Sequence, residues 1–188
     1  MGPLMNWGHR PLSRWTIELM SIKPDDSVLD IGCGGGRTIR DIAKIVTGGV
    51  VSGVDYSELM VQQALKCNAT AARAMHVVIK YGNTSKLPFE DESFNKACAI
   101  ETFHFWPDPV VGLKEVHRVL RPKGLAAIAT AWSKEIPNHQ KYSAIARRMR
   151  FPLYSGSEMI GMLNAAGFSR AYFEFKTGSN WLCAIGIK

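Results

Sequence analysis

Two carboxylates and a run of glycines carry the most specific chemistry in this chain. They lie in Val28-Leu29-Asp30-Ile31-Gly32-Cys33-Gly34-Gly35-Gly36 and, further on, at Asp55. Glycines let the backbone turn sharply and let a ligand approach it closely. A helix starting at Arg37 would point its free N–H groups toward the same place. The glycines at 32, 34 and 36 are spaced G-x-G-x-G, and the third position of a dinucleotide fingerprint is occupied by Arg37. Asp30 precedes the first glycine by two positions. A carboxylate there sits badly against a pyrophosphate and suits an ammonium group. Asp55 follows at roughly the twenty-residue spacing of a ribose-hydroxyl contact. Two carboxylates, a glycine turn and no phosphate-binding lysine describe a nucleoside with a positively charged tail. Two plainer roles stay open: Asp30 as a brace for the loop and Asp55 as a strand-end cap.

A second chemically equipped segment is Glu101-Thr102-Phe103-His104-Phe105-Trp106-Pro107-Asp108. His104 titrates in the range a general base needs, or is a packing histidine. Phe103, Phe105 and Trp106 either line an apolar acceptor pocket or fill core. The four cysteines, Cys33, Cys67, Cys98 and Cys183, form no C-x-x-C pair and have no histidine at a metal-like spacing. They read as free thiols in apolar surroundings, with no metal site.

The elements that must position these residues alternate. Strand-like runs cover 27–31, 50–55, 76–80, 94–100 and 125–131. Helical stripes cover 37–47, 58–72 (Ser57 as N-cap), 109–120 and 157–166 (Ser157 as N-cap, Gly167 as stop). Two further runs, 171–176 and 181–187, are separated by Gly178 and Ser179 and form an antiparallel hairpin. The expectation is one α/β, doubly wound, Rossmann-like domain. It has a mostly parallel seven-stranded sheet with one antiparallel strand near the edge, and ligands at the carboxyl ends of the strands. Residues 23–188 make that domain, and 1–22 are set apart as a lid or leader centred on Met5 to Arg10.

In this order the motifs resemble a known family. D-I-G-C-G-G-G and G-V-D-Y-S resemble motifs I and II of the class I S-adenosylmethionine-dependent methyltransferases. Residues 87–94, L-P-F-E-D-E-S-F, and 115–124, E-V-H-R-V-L-R-P-K-G, resemble stretches of the ubiquinone/menaquinone-biosynthesis type. S-adenosylmethionine has the shape read above: a ribose, a sulfonium and an amino-acid end. The resemblance implies that Asp30, Gly32, Cys33 and Gly34 line the methionine end and that Asp55 takes the ribose hydroxyls. Tyr56 and Met60 would flank the adenine (Met60 is equally a core residue), with Asn83 and Thr84 at its edge. Glu101 would lie beside the methyl group. It implies S-adenosylhomocysteine as product and Glu101 and His104 as the candidates for catalysis. The chain departs from the family pattern at Asn83 and Asn95, each in place of Asp, and at Lys123-Gly124 in place of Gly-Gly.

Composition narrows the class further. A chain of 188 residues, 46% hydrophobic, can bury one core. No run of eighteen apolar residues exists, which excludes a membrane-spanning helix. No signal-like segment opens the chain, so the expected compartment is the cytoplasm. The net charge of +7 is scattered, with its densest cluster at Arg147, Arg148 and Arg150. That leaves a small-molecule methyl acceptor as the first reading and nucleic acid as the second, with no N-P-P-[YF] motif after 94–100 to favour it. A non-catalytic nucleoside-binding module is the third. The sequence is silent on oligomeric state.

Overall fold

A computed structural model describes residues 10–135, 139–149 and 151–188. Seven strands form one sheet: β1 (Val28–Ile31), β2 (Val51–Asp55), β3 (Val77–Tyr81), β4 (Phe94–Ile100), β5 (Leu120–Thr130), β6 (Arg170–Phe175) and β7 (Leu182–Ile187). Their order is β3-β2-β1-β4-β5-β7-β6. The first five pair in parallel, and β7 runs antiparallel between β5 and β6. This is the doubly wound architecture read from the sequence. The strand order reverses between β1 and β4, which places the switch-point crevice at their carboxyl ends.

Among the described residues there are seven α-helices: α1 (Arg10–Met20), α2 (Arg37–Ile42), α3 (Glu58–Cys67), α4 (Ala69–Arg73), α5 (Pro109–Val119), α6 (His139–Met149) and α7 (Gly156–Ala165). Side chains alternate across the strands, so each strand feeds two cores. Leu29, Ala97, Ile128 and Ala184 meet Leu113 and Val116 of α5 and Met159 and Leu163 of α7. Val28, Cys98, Ala127 and Ile185 meet Leu12, Trp15 and Met20 of α1 and Ile39 and Ile42 of α2. The small side chains of β4 and β5 let α1 lie close against those strands.

Several boundaries differ from the sequence reading, each for a local reason. The division at residue 22 does not set residues 10–20 apart from the domain. Leu12, Trp15, Thr16 and Met20 give α1 a buried face, and Trp15 packs on Trp181 at 6.2 Å between ring centroids. The candidate lid residues Met5 to His9 lie outside the described residues. The helix read as 58–72 is broken at Asn68, whose Nδ2 donates to the carbonyls of Gly36 and Ala64, both at 2.9 Å. The last of the 157–166 helix's signals is also displaced: Ser155, not Ser157, caps α7, in a reciprocal capping box with Glu158. Strand β5 starts earlier than 125 because Leu120 pairs with Phe94 before a register shift absorbs the Pro-Lys-Gly turn. Among the described residues no helix is long and apolar enough to cross a membrane.

Candidate active site

At the switch point the chain leaves β1 through glycines that adopt left-handed backbone, φ +71° at Gly32, +50° at Gly34 and +77° at Gly36. A side chain at Gly32 would collide with Thr102, whose Cγ2 lies 2.5 Å from the position a Cβ would take. At Gly34 no atom lies within 4 Å of that position. The loop is therefore tightly backed at one glycine and open to the crevice at the next. Thr102 completes the backing by donating its hydroxyl to the Ile31 carbonyl at 3.1 Å.

A cavity of about 360 Å³ opens there. Asp30, Gly32, Cys33, Gly34, Glu101 and His104, all singled out from sequence, share its lining. One side is polar: Arg10 and Ser13 from α1, and Arg37, Thr38 and Asp41 from α2. The other is aromatic: Phe105, Trp132 and Phe151. The His104 ring lies 4.2 Å from that of Phe105 and 4.5 Å from that of Phe151, centroid to centroid. Phe103 and Trp106 belong to the core instead. So the aromatic segment divides between cavity wall and packing.

Asp30 is 3% exposed. Its Oδ1 accepts from the Cys98 thiol at 3.5 Å, while Oδ2 is one of three buried side-chain polar atoms among the described residues without a hydrogen-bond partner. Another is Nε of Arg37, in the same lining. Burial pushes the Asp30 carboxyl up to about 7, with the charge of Asp55 adding and the Cys98 hydrogen bond opposing. Burial likewise raises the Cys33 and Cys98 thiols, which stay protonated.

Asp55 lies behind the glycine loop. Its Oδ2 accepts the Gly34 N–H at 2.8 Å and its Oδ1 the Ser57 N–H at 2.9 Å. It thus braces the loop and the entry to α3, while each oxygen keeps a further lone pair. Tyr56 (71% exposed), Met60, Asn83 and Thr84 flank the carboxyl ends of β2 and β3, outside the cavity's lining. Asn83 Oδ1 accepts from Ser85 N at 3.0 Å and Lys86 N at 3.3 Å, so the amide oxygen closes a local turn. Glu101 sits at φ +58° just past β4. Its carboxylate accepts the Ala131 N–H, and its own N–H donates to Ala129 O at 2.9 Å. It therefore ties the ends of β4 and β5 together and fixes where Trp132 begins.

Sequence reasoning missed Ser13, Trp132 and Phe151 as lining residues, had Arg10 only as the end of a candidate lid, and saw Arg37 only as a helix start that breaks a glycine pattern. An amphipathic repeat over 10–20 would have located Arg10 and Ser13. Phe151 follows a segment, 134–154, whose pattern is not readable. Among the described residues no group of three or more His, Cys, Asp or Glu could hold a metal ion.

Residues 29–128 match a family described as a methyltransferase domain. The chain is 27% identical over 175 residues to the uncharacterized methyltransferase YdaC of Bacillus subtilis (strain 168), covering 93% of this chain and 89% of that one. It is 32% identical over 152 residues to the O-methyltransferase resE of Aspergillus sclerotiorum, where it covers 79% of this chain but spans only 57% of the relative. A SAM-dependent methyltransferase from Aquifex aeolicus superimposes with a TM-score of 0.73 at 22% identity, over 93% of this chain and 88% of the other.

Proposed function

The chain belongs to the methyltransferase-domain family, whose cofactor is S-adenosylmethionine, and on that premise we propose that it methylates a small-molecule acceptor held in the cavity at the ends of β1 and β4. The single observation that carries this reading is a pair of residues lining one cavity, Asp30 and Arg37, each with a buried polar side-chain atom, Oδ2 and Nε, that has no hydrogen-bond partner. An amino acid's ammonium and carboxylate complement such a pair. The open side of Gly34 leaves room for close contact with backbone.

In this reading Asp30 holds the ammonium and Arg37 the carboxylate. Gly32, Cys33 and Gly34 supply the surface along the methionine chain. Asp55 takes the ribose hydroxyls on its remaining lone pairs. Tyr56, Met60, Asn83 and Thr84 form the adenine surround. The bound cofactor supplies a methyl group activated by its sulfonium. The protein's contribution is orientation and exclusion of water. Phe105, Trp132 and Phe151 hold an apolar acceptor face, and Glu101 fixes the geometry of that wall. His104 takes the proton of an acceptor hydroxyl as the new bond forms.

The test is methyl transfer from isotopically labelled S-adenosylmethionine in the presence of pooled small phenols and amines, with RNA as a separate arm. Label on a small acceptor supports the reading, and label in RNA alone contradicts it. The compartment in which the protein works is proposed to be the cytoplasm.

A further inference from the structure

Cys98 lies on the central strand β4 and is fully buried. Parallel pairing of β1 with β4 sets it directly opposite Asp30. Both side chains project to the α1–α2 side of the sheet, where the cavity opens. The thiol donates to Asp30 Oδ1. That contact occupies one carboxylate oxygen; the other, Oδ2, is buried without a partner, and Asp30 is one of the residues that line the cavity. The sulfur is not in the lining itself.

Building on the cofactor reading above, we propose that Cys98 is a positioning residue: its thiol holds Asp30 so that the free oxygen meets the cofactor's ammonium group. The electrostatic setting is consistent on every side. Asp55 on β2 and Cys33 in the loop face Asp30 with negative or neutral groups. Cys183 on β7 lies beyond Cys98 and is neutral. Arg10 on α1, Arg37 and Asp41 on α2, and Glu101 and His104 after β4 share the cavity's lining. Among the described residues no cationic group is hydrogen-bonded to Asp30. Its carboxyl is thus held near neutral pH by burial, and a hydrogen bond that prefers the ionised form is supplied by Cys98 alone. Removing the thiol raises the proton affinity of Asp30 further.

The experiment is calorimetric titration with S-adenosylhomocysteine, which keeps the amino-acid end, from about pH 5.5 to about pH 7.5, in two buffers of different ionisation enthalpy. The wild-type protein should bind about tenfold more tightly at the upper end than at the lower, and release a measurable fraction of a proton below about pH 7. Cys98→Ala should move the midpoint of that profile to higher pH. Cys98→Ser, which restores a donor, should move it back. A side chain that only packs would lower affinity equally at every pH. An unmoved midpoint in Cys98→Ala overturns the proposal while leaving the cofactor reading intact. If Cys98→Ala does not fold, Cys98→Val, which also lacks the donor, takes its place, and an unmoved midpoint there overturns the proposal. No binding at any pH overturns the cofactor reading and the proposal with it.

Discussion

At the residue scale, Asp30 is a buried carboxyl whose ionisation costs free energy. Its carboxyl is raised from 3.8 to about 7 by burial. The folded protein therefore holds a proton that the unfolded chain releases at lower pH. The associated stability is present below about pH 4 and is lost as pH rises through about 7. Asp30→Asn removes the ionisation without changing the shape. Thermal denaturation at about pH 8 should show the variant on the order of 1 kcal/mol more stable, and calorimetry should show loss of cofactor affinity of tenfold or more. Equal stability with normal binding would mean that Asp30 only packs. Asp55 differs, because it has backbone donors on both oxygens. Asp55→Ala should cost about 1–3 kcal/mol in cofactor binding and also lower the melting temperature, since the glycine loop loses its brace. His104→Asn should leave cofactor affinity unchanged and lower turnover by about a hundredfold, with the loss of the acidic limb of the pH–rate profile. Asp30 and Asp55 could be picked out as candidates because each stands in a spaced motif, and His104 because of its residue type just after the fourth strand. Arg37 could not, because its role depends on a buried Nε that only the folded cavity creates.

At the element scale, the glycine loop and α1 do most of the positioning. Gly34 and Gly36 both need left-handed backbone, but their surroundings differ. A Cβ at Gly36 would lie 2.8 Å from the backbone Cα of Ala64 in α3, whereas a Cβ at Gly34 meets nothing within 4 Å. Gly36→Ala should therefore be strongly destabilised in a denaturant titration. Gly34→Val should fold at a cost of about 1–3 kcal/mol from backbone strain and fail to bind the cofactor. A folded Gly34→Val that binds normally would remove the loop from the site. The strands and most helices were readable from apolar periodicity. Helix α1 was not legible as a separate element, although Leu12, Trp15, Thr16 and Met20 mark one face. The break at Asn68 was invisible because its cause is a tertiary bond to Gly36 O, 32 positions away.

At the scale of the whole molecule, two apolar layers lie on either side of one sheet, and a polar-and-aromatic cavity opens at the strand ends. The layer made by α1 and α2 carries the polar lining, so damage to that layer should be felt at the site. Leu12→Ala, at a position 1% exposed, should cost about 2–5 kcal/mol in a denaturant titration and weaken cofactor binding, because Arg10 and Ser13 lose their support. The +7 net charge does not single out a partner: Arg147 and Arg148 are exposed on α6, outside the cavity. The most direct test of the central claim is calorimetry of the intact protein with S-adenosylmethionine and S-adenosylhomocysteine, using NAD as the control. Saturable binding of both sulfur nucleosides, with none of NAD, is the predicted result. Binding of NAD without the sulfur nucleosides would contradict it and reassign the glycine loop.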